Sequence, residues 1–151
     1  MADVYILYGS VYGSARDAAE QLAQHLQSRG IDAQLLTTVD TSTLESSEAP
    51  IVIVTSTTGA GDIPDNLMPF YAWLQSSPNI YQRPYALAVL GDSSYFDTFC
   101  GAGEKLRAAL DDLGARELVP MLQVDALEHA DPVPPVLAWA DALTAQLGLS
   151  A

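Results

Sequence analysis

Glycine and hydroxyl residues are concentrated in residues 9–15, Gly-Ser-Val-Tyr-Gly-Ser-Ala, between an apolar run and a helical pattern. The first turn of a helix has free backbone N–H groups and a positive dipole end, which together bind phosphate. Gly9 and Gly13 permit close approach to the backbone, and Ser10 and Ser14 can donate hydrogen bonds. Because the segment has no lysine, it is not a Walker A loop and favours a phosphate monoester. A serine-capped helix with ordinary turn glycines is the alternative.

A second segment of this kind covers residues 56–64, Ser-Thr-Thr-Gly-Ala-Gly-Asp-Ile-Pro, and follows another apolar run. Its two glycines permit close approach by a flat ligand, and its hydroxyls can reach ring or polyol oxygens. The alternative is a loop that ends in a capped helix, which Pro64 or Asp65 would begin.

The third segment, residues 90–102, places aromatic residues in a polar stretch directly after an apolar run. These residues are Tyr95, Phe96 and Phe99. An aromatic side chain at a binding edge can stack on a planar ring system. The segment therefore predicts a site for a planar ligand.

Cys100 lies in the same segment and raises the question of a nucleophile. Neither His25 nor His129 is placed to activate it, because His25 belongs to a helical pattern more than ten residues from the nearest loop. We expect Cys100 to be a small buried apolar residue that contributes backbone contacts.

The elements that would position these segments alternate between strand and helix. Apolar runs predict five strands, at residues 4–8, 32–36, 51–55, 85–90 and 118–122. Apolar residues recur at helical spacing in residues 15–26, 67–74, 106–113 and 136–147. Gly30 and Gly114 are expected to end helices, Pro132, Pro134 and Pro135 to precede the last one, and residues 37–49 to form an irregular or short helical crossover.

This alternation predicts one three-layer α/β domain with a doubly wound, five-stranded parallel sheet in the flavodoxin-like order 2-1-3-4-5. Ligands bind such sheets beyond the carboxyl ends of the strands. The three segments follow the first, third and fourth predicted strands, so all three are expected at that edge.

The motifs G-S-x-x-G-S-A, S-T-T-G-A-G-D-I-P-D-N and G-D-S-S-Y-x-x-F-C-G-A resemble those of flavodoxins, in particular the MioC/YqcA group of small bacterial members. The flavodoxin-like domains of diflavin reductases such as sulfite reductase are similar at the same places. The resemblance runs from Val4 to about Leu147 and implies an FMN cofactor and one-electron transfer. The last strand lacks the insertion of long-chain members, so the chain resembles the short-chain type.

The resemblance also implies which residues bind FMN. The phosphate would be held by Ser10, Val11, Tyr12, Gly13, Ser14 and Ala15. The inner side of the isoalloxazine ring would be bordered by Thr57, Thr58 and Gly59, and its pyrimidine edge by backbone groups of Leu90, Gly91 and Asp92. Tyr95 would stack on the outer face, while Phe99 and Cys100 would close the third loop.

The chain departs from the family pattern at two places. Thr58 stands where many flavodoxins have an aromatic residue, and Trp73 is too far into the next helical pattern to replace it, so it is expected in the core. Threonines are common in the family where this sequence has Val11, Tyr12 and Ala15.

Composition limits the partners. The chain has 151 residues, nineteen acidic and six basic side chains, and a net charge of −13, which argues against binding to nucleic acid or an anionic membrane. Its single cysteine, the absence of a signal peptide and the lack of a long apolar stretch predict a cytoplasmic protein. We expect a monomer and no metal site.

Seven acidic residues fall in segments expected at the ligand edge: Asp62, Asp65, Asp92, Asp97, Asp125, Glu128 and Asp131. Their field would disfavour extra negative charge on the flavin and would attract basic partners, although a merely solvated acidic face is the alternative. The function expected is therefore a low-potential one-electron carrier. It would connect a basic-faced flavoprotein reductase, of the ferredoxin/flavodoxin reductase type, with redox acceptor proteins.

Two other functions compete with the carrier. An FMN-dependent quinone or nitro reductase would need a substrate pocket, commonly completed by a second subunit, and the chain has no extra segment to build one. An FMN-free regulatory module of the same fold would not need the three loops. A phospho-receiver domain is disfavoured, because the third strand ends in Thr55 and Ser56 rather than an acceptor aspartate.

Overall fold

A computed structural model describes residues 3–10, 13–57, 61–91 and 100–150. In chain order the elements are β1 (Val4–Gly9), α1 (Ser14–Ser28), β2 (Ala33–Leu35), α2 (Thr41–Glu45), β3 (Ile51–Ser56), a 3₁₀ helix (Asp65–Leu67), α3 (Met68–Gln75), β4 (Pro84–Gly91), α4 (Gly101–Asp112), β5 (Arg116–Glu117), β6 (Leu122–Asp125) and α5 (Val133–Ser150). None of the described helices is both long enough and apolar enough to cross a membrane.

The strands form one sheet in the order β2-β1-β3-β4-β5, with β6 also paired to β4. Every pair of neighbours is parallel. The order and the alternation of strands with helices confirm the predicted flavodoxin-like α/β architecture. The carboxyl ends of β1, β3 and β4 therefore meet at one edge of the sheet.

The fifth strand differs from the prediction. Residues 118–122 were expected to form one strand, but β5 and β6 lie on either side of residues 118–121. Pro84 pairs with Arg116 and Ala88 with Leu122, so the outer strand has two more residues than β4 between these points. Pro120 has no N–H to donate to the ladder, and the apolar run instead buries Leu118 and Val119 in the core.

Two helical layers cover the sheet. One contains α1 and α5, whose predicted apolar faces are buried: Ala15, Ala18, Ala19, Leu22, Ala23 and Leu26, then Val136, Trp139, Ala140, Leu143 and Leu147. The other contains α3 and α4, where Phe70, Leu74, Leu106 and Leu110 pack against the sheet. Trp73 belongs to this second core as expected, and its indole N–H donates to Glu45 Oε1 at 2.7 Å.

Helix ends agree with the sequence except at one place. Gly30 and Gly114 follow α1 and α4 with φ of 81° and 79°, and α2 is the short helix expected in the crossover. Contrary to expectation, α5 begins at Val133, so Pro134 and Pro135 lie in its first turn. Proline is tolerated there because first-turn N–H groups have no intrahelical acceptor.

Candidate cofactor-binding site

The candidate site lies at the carboxyl ends of β1, β3 and β4, where the three sequence segments begin. The structure describes Ser10, Gly13, Ser14, Ala15, Thr57, Leu90, Gly91 and Cys100 among the expected site residues. The others lie outside the described residues: Val11, Tyr12, Thr58, Gly59, Asp92, Tyr95 and Phe99. The described part of the site therefore consists of the bases of the three loops.

The first loop leads into α1 through Gly13, which has a φ of 93°. The Gly13 N–H donates to Ser10 Oγ at 2.8 Å, and its carbonyl accepts from Asp17 N–H at 2.9 Å. No described side chain caps α1, so the serine-capped alternative does not hold: Ser14 is the first residue of the helix. The first N–H groups of α1 are thus oriented toward the edge where a phosphate would lie.

Side chains at the start of α1 divide between solvent and core. Ser14 is exposed, so its hydroxyl is accessible to a ligand, whereas Ala15 is fully buried on the core face of the helix. Only the backbone N–H of Ala15 can therefore contribute to a phosphate site. This explains why a small apolar residue suffices at a position where threonine is common.

Asn66, in the 3₁₀ helix, contacts the first loop, although it is not among the residues predicted for the site. Its Oδ1 accepts from Ser10 N–H at 2.9 Å, and its Nδ2 donates to the Tyr8 carbonyl at 3.0 Å. The asparagine is visible in the P-D-N motif, but nothing local indicates a partner 56 residues away.

The second loop begins with a residue that has an unsatisfied hydroxyl. Thr57 N–H donates to the Leu90 carbonyl at 3.0 Å, which extends the β3–β4 ladder by one bond. Thr57 Oγ1 is buried and has no hydrogen-bond partner among the described residues. Buried polar atoms are nearly always paired, so this hydroxyl is a candidate contact for a ligand.

The third loop is fixed at both of its described ends. The carbonyls of Leu90 and Gly91 accept from Thr57 N–H and Ala126 N–H, so they join this loop to its neighbours. Cys100 is fully buried, with Sγ 3.7 Å from the Val89 carbonyl. Burial, and then the charges of Asp125 and Glu104, raise the pKa of this thiol to about 11. Cys100 is therefore a protonated core residue at neutral pH.

The second and third loops are in contact near their C-terminal ends, at Gly61 and Gly101. A Cβ on Gly101 would lie 2.9 Å from both Cα and the carbonyl oxygen of Gly61, so these backbones approach as closely as glycine allows. Beside this contact, Lys105 Nζ lies 2.9 Å from Asp62 Oδ1. Lys105 is the only lysine in the chain.

Charge at the edge is mostly negative but not uniform. Asp62 was expected to add to the acidic field, yet Lys105 compensates its charge. Asp65, Glu128 and Asp131 are exposed, and Asp125 is half-buried, whereas Asp92 and Asp97 lie outside the described residues. Among the described residues, no group of three or more His, Cys, Asp or Glu side chains is placed to hold a metal ion.

Comparison with known proteins agrees with this geometry. The sequence model of the family described as flavodoxin matches residues 6–139. The chain belongs to the flavodoxin family. Flavodoxin YqcA of Pectobacterium carotovorum subsp. carotovorum is 40% identical over 156 residues, covering 97% of this chain and all of the relative. Protein MioC of Escherichia coli (strain K12) is 39% identical over 140 residues, 92% of this chain and 94% of the relative.

A solved structure of a flavodoxin is also similar. A cysteine-to-alanine variant of a flavodoxin from Pseudomonas aeruginosa superposes with a TM-score of 0.86 and 40% identity, covering 96% of this chain and 98% of that one. Membership in the flavodoxin family supports an FMN-binding electron carrier rather than a classical enzyme. The observed residues fit FMN, since a helix N-terminus suited to phosphate lies at the same sheet edge as the Thr57 hydroxyl, which no described residue pairs.

Proposed function

We propose that this protein is a low-potential one-electron carrier that binds one FMN at the edge formed by β1, β3 and β4. The observation that carries the proposal is the uncapped N-terminus of α1, approached through Gly13 and flanked by Ser10 and Ser14. Backbone N–H groups and hydroxyls at this position suit a phosphate monoester without a lysine. FMN, when bound, supplies the redox chemistry of the carrier.

The chain's own residues would position the cofactor and exclude water from it. The first N–H groups of α1 would hold the phosphate, and Thr57 Oγ1 would donate to or accept from a polar group of the ligand. From the family resemblance, Thr58, Gly59, Asp92 and Tyr95 would border the ring. Leu90 and Gly91 would act mainly as anchors, since their carbonyls already bind Thr57 and Ala126.

Acidic side chains near the edge would lower the reduction potential of the cofactor and favour basic partners. Asp65, Asp125, Glu128 and Asp131 would oppose additional negative charge on the cofactor, which lowers its potential. The same charges would attract a basic-faced flavoprotein reductase and basic acceptor proteins. The carrier would act as a monomer in the cytoplasm.

Titration of the purified protein with FMN, followed by dithionite, tests this function. We expect binding of one FMN with quenched flavin fluorescence, full bleaching by dithionite, and no turnover of NAD(P)H with quinone unless a reductase is added. A protein that stays colourless with FMN would instead be a regulatory module. Turnover of NAD(P)H and quinone without a reductase would identify an FMN enzyme.

A further inference from the structure

Strand β1 continues past the end of its neighbour β2. The last bond between the two is Leu36 N–H to the Ile6 carbonyl, at 2.9 Å. Because alternate residues of a strand direct their backbone groups to the same side, Tyr8 and Ser10 present the next groups on this edge. The Tyr8 carbonyl and the Ser10 N–H, at the start of the phosphate loop, therefore have no strand to pair them.

The side chain of Asn66 takes the place of the missing strand. Its Oδ1 accepts from Ser10 N–H at 2.9 Å, and its Nδ2 donates to the Tyr8 carbonyl at 3.0 Å. A primary amide offers the donor and the acceptor of a peptide group in one rigid plane. Alanine would supply neither bond, and aspartate would supply only the acceptor.

A chain of hydrogen bonds connects Ser10 to helix α1. With its backbone held by Asn66, Ser10 places Oγ 2.8 Å from Gly13 N, and Gly13 then accepts the first helical bond from Asp17. Asn66 itself lies in the 3₁₀ helix that follows the second loop. The residue that holds the start of the phosphate loop therefore comes from a different crossover of the fold.

We infer that Asn66 is the positioning residue that sets the phosphate loop through Ser10 and Gly13. The inference rests on the proposed function for its ligand, but the hydrogen bonds themselves belong to the chain without cofactor. Asn66 would act on the phosphate through Ser10 and Gly13 rather than by direct contact.

Binding of FMN and riboflavin to the Asn66→Ala variant tests the inference. Riboflavin lacks the phosphate, so a residue that orders the phosphate loop affects FMN and leaves riboflavin nearly unchanged. We expect the dissociation constant for FMN to rise about tenfold, as for the loss of two exposed hydrogen bonds, and that for riboflavin to change less than about twofold. Asn79→Ala is the matched control, because Asn79 is the only other asparagine, is exposed and lies away from this edge.

The Asn66→Asp variant and hydrogen exchange provide a readout without cofactor. In the FMN-free protein, the Ser10 amide is expected to lose protection in Asn66→Ala and to keep it in Asn66→Asp, whose carboxylate still accepts from Ser10. Asn66→Asp would nevertheless bind FMN more weakly than Asn66→Ala, since it adds a negative charge near the phosphate.

The outcomes separate this inference from the proposed function. If Ser10 protection in Asn66→Ala equals that of the wild type, or if FMN and riboflavin weaken equally, the positioning role is overturned. If Ser10 loses protection as expected but the wild-type protein binds no FMN, the contact stands and the proposed function fails.

Discussion

At the scale of single residues, the thiol of Cys100 is the most reactive type of side chain among the described site residues, and it is held in its unreactive form. Cys100 is fully buried at the start of α4, and its pKa of about 11 keeps the thiol protonated at neutral pH. A thiol needs its thiolate form to act as a nucleophile. Cys100 thus contributes to packing and to the position of the third loop.

The raised pKa of Cys100 predicts a loss of stability in alkaline solution. Above pH 9 the unfolded chain loses the thiol proton, whereas the native chain keeps it up to about pH 11. The native state then binds more protons than the unfolded state, so the free energy of unfolding falls as pH rises through this window. Between pH 8 and about pH 10.5 the wild type should lose roughly 2 kcal/mol more than Cys100→Ala.

Urea unfolding at both pH values measures this difference. Tyr85, whose pKa is raised by burial and by its hydrogen bond to Asp111, contributes equally to the pH dependence of both proteins and cancels in the comparison. Equal losses in the wild type and Cys100→Ala would contradict the prediction.

At the scale of elements, the bases of the three loops are joined to one another by direct contacts. Asn66 connects the second loop to the first, and Thr57 connects it to β4. The contact of Gly61 with Gly101 and the Lys105–Asp62 ion pair connect it to α4. The three loop bases are therefore in contact with one another at the edge of the sheet.

Gly101→Ala tests this connection. The new Cβ would lie 2.9 Å from two backbone atoms of Gly61, so the second and third loops must separate. We expect the free energy of unfolding to fall by about 1–3 kcal/mol and the affinity for FMN to fall with it.

Gly30→Ala is the control for Gly101→Ala. Gly30 has a φ of 81° and open space around its Cβ position, so its variant tests backbone conformation without a collision. It should lose about 1 kcal/mol of stability and bind FMN normally. If Gly101→Ala also binds FMN like the wild type, the contact between the loops does not matter for the site.

Elements were predictable from the sequence where their signals are local. The continuous apolar runs and the helical faces of α1 and α5 follow from periodicity alone. The division of the fifth strand does not, because the two extra residues appear only when that strand is aligned with β4. The contacts of Asn66 were not predicted because they too are non-local: its partners Ser10 and Tyr8 lie 56 and 58 residues earlier in the chain.

At the scale of the whole molecule, most basic side chains are paired with other groups of the same chain. Four of the six form ion pairs with the chain's own carboxylates: Arg16, Arg29, Lys105 and Arg107. A fifth, Arg83, is buried and donates to backbone carbonyls of Leu44 and Ala49. Little positive charge remains to offset the acidic field that a partner meets.

This charge distribution predicts that electron transfer from a basic-faced reductase depends on salt. Screening lengths of about 10 Å at 0.1 M shorten further at higher ionic strength, so the attraction weakens. The second-order rate constant should fall about tenfold or more between low and high salt. Stopped-flow reduction of the FMN-loaded protein measures it, with a small uncharged reductant as control. A rate that is independent of salt would contradict steering by the acidic edge.

Because the chain has a single lysine, only one side chain carries a primary amine that can be labelled. Lys105 is half-exposed and sits against Asp62, where two of the loops meet. A fluorophore attached there by acylation would label each molecule once, apart from the terminal α-amine, which reacts at lower pH. Such a label would lie within energy-transfer range of a bound flavin and would report its arrival and departure optically.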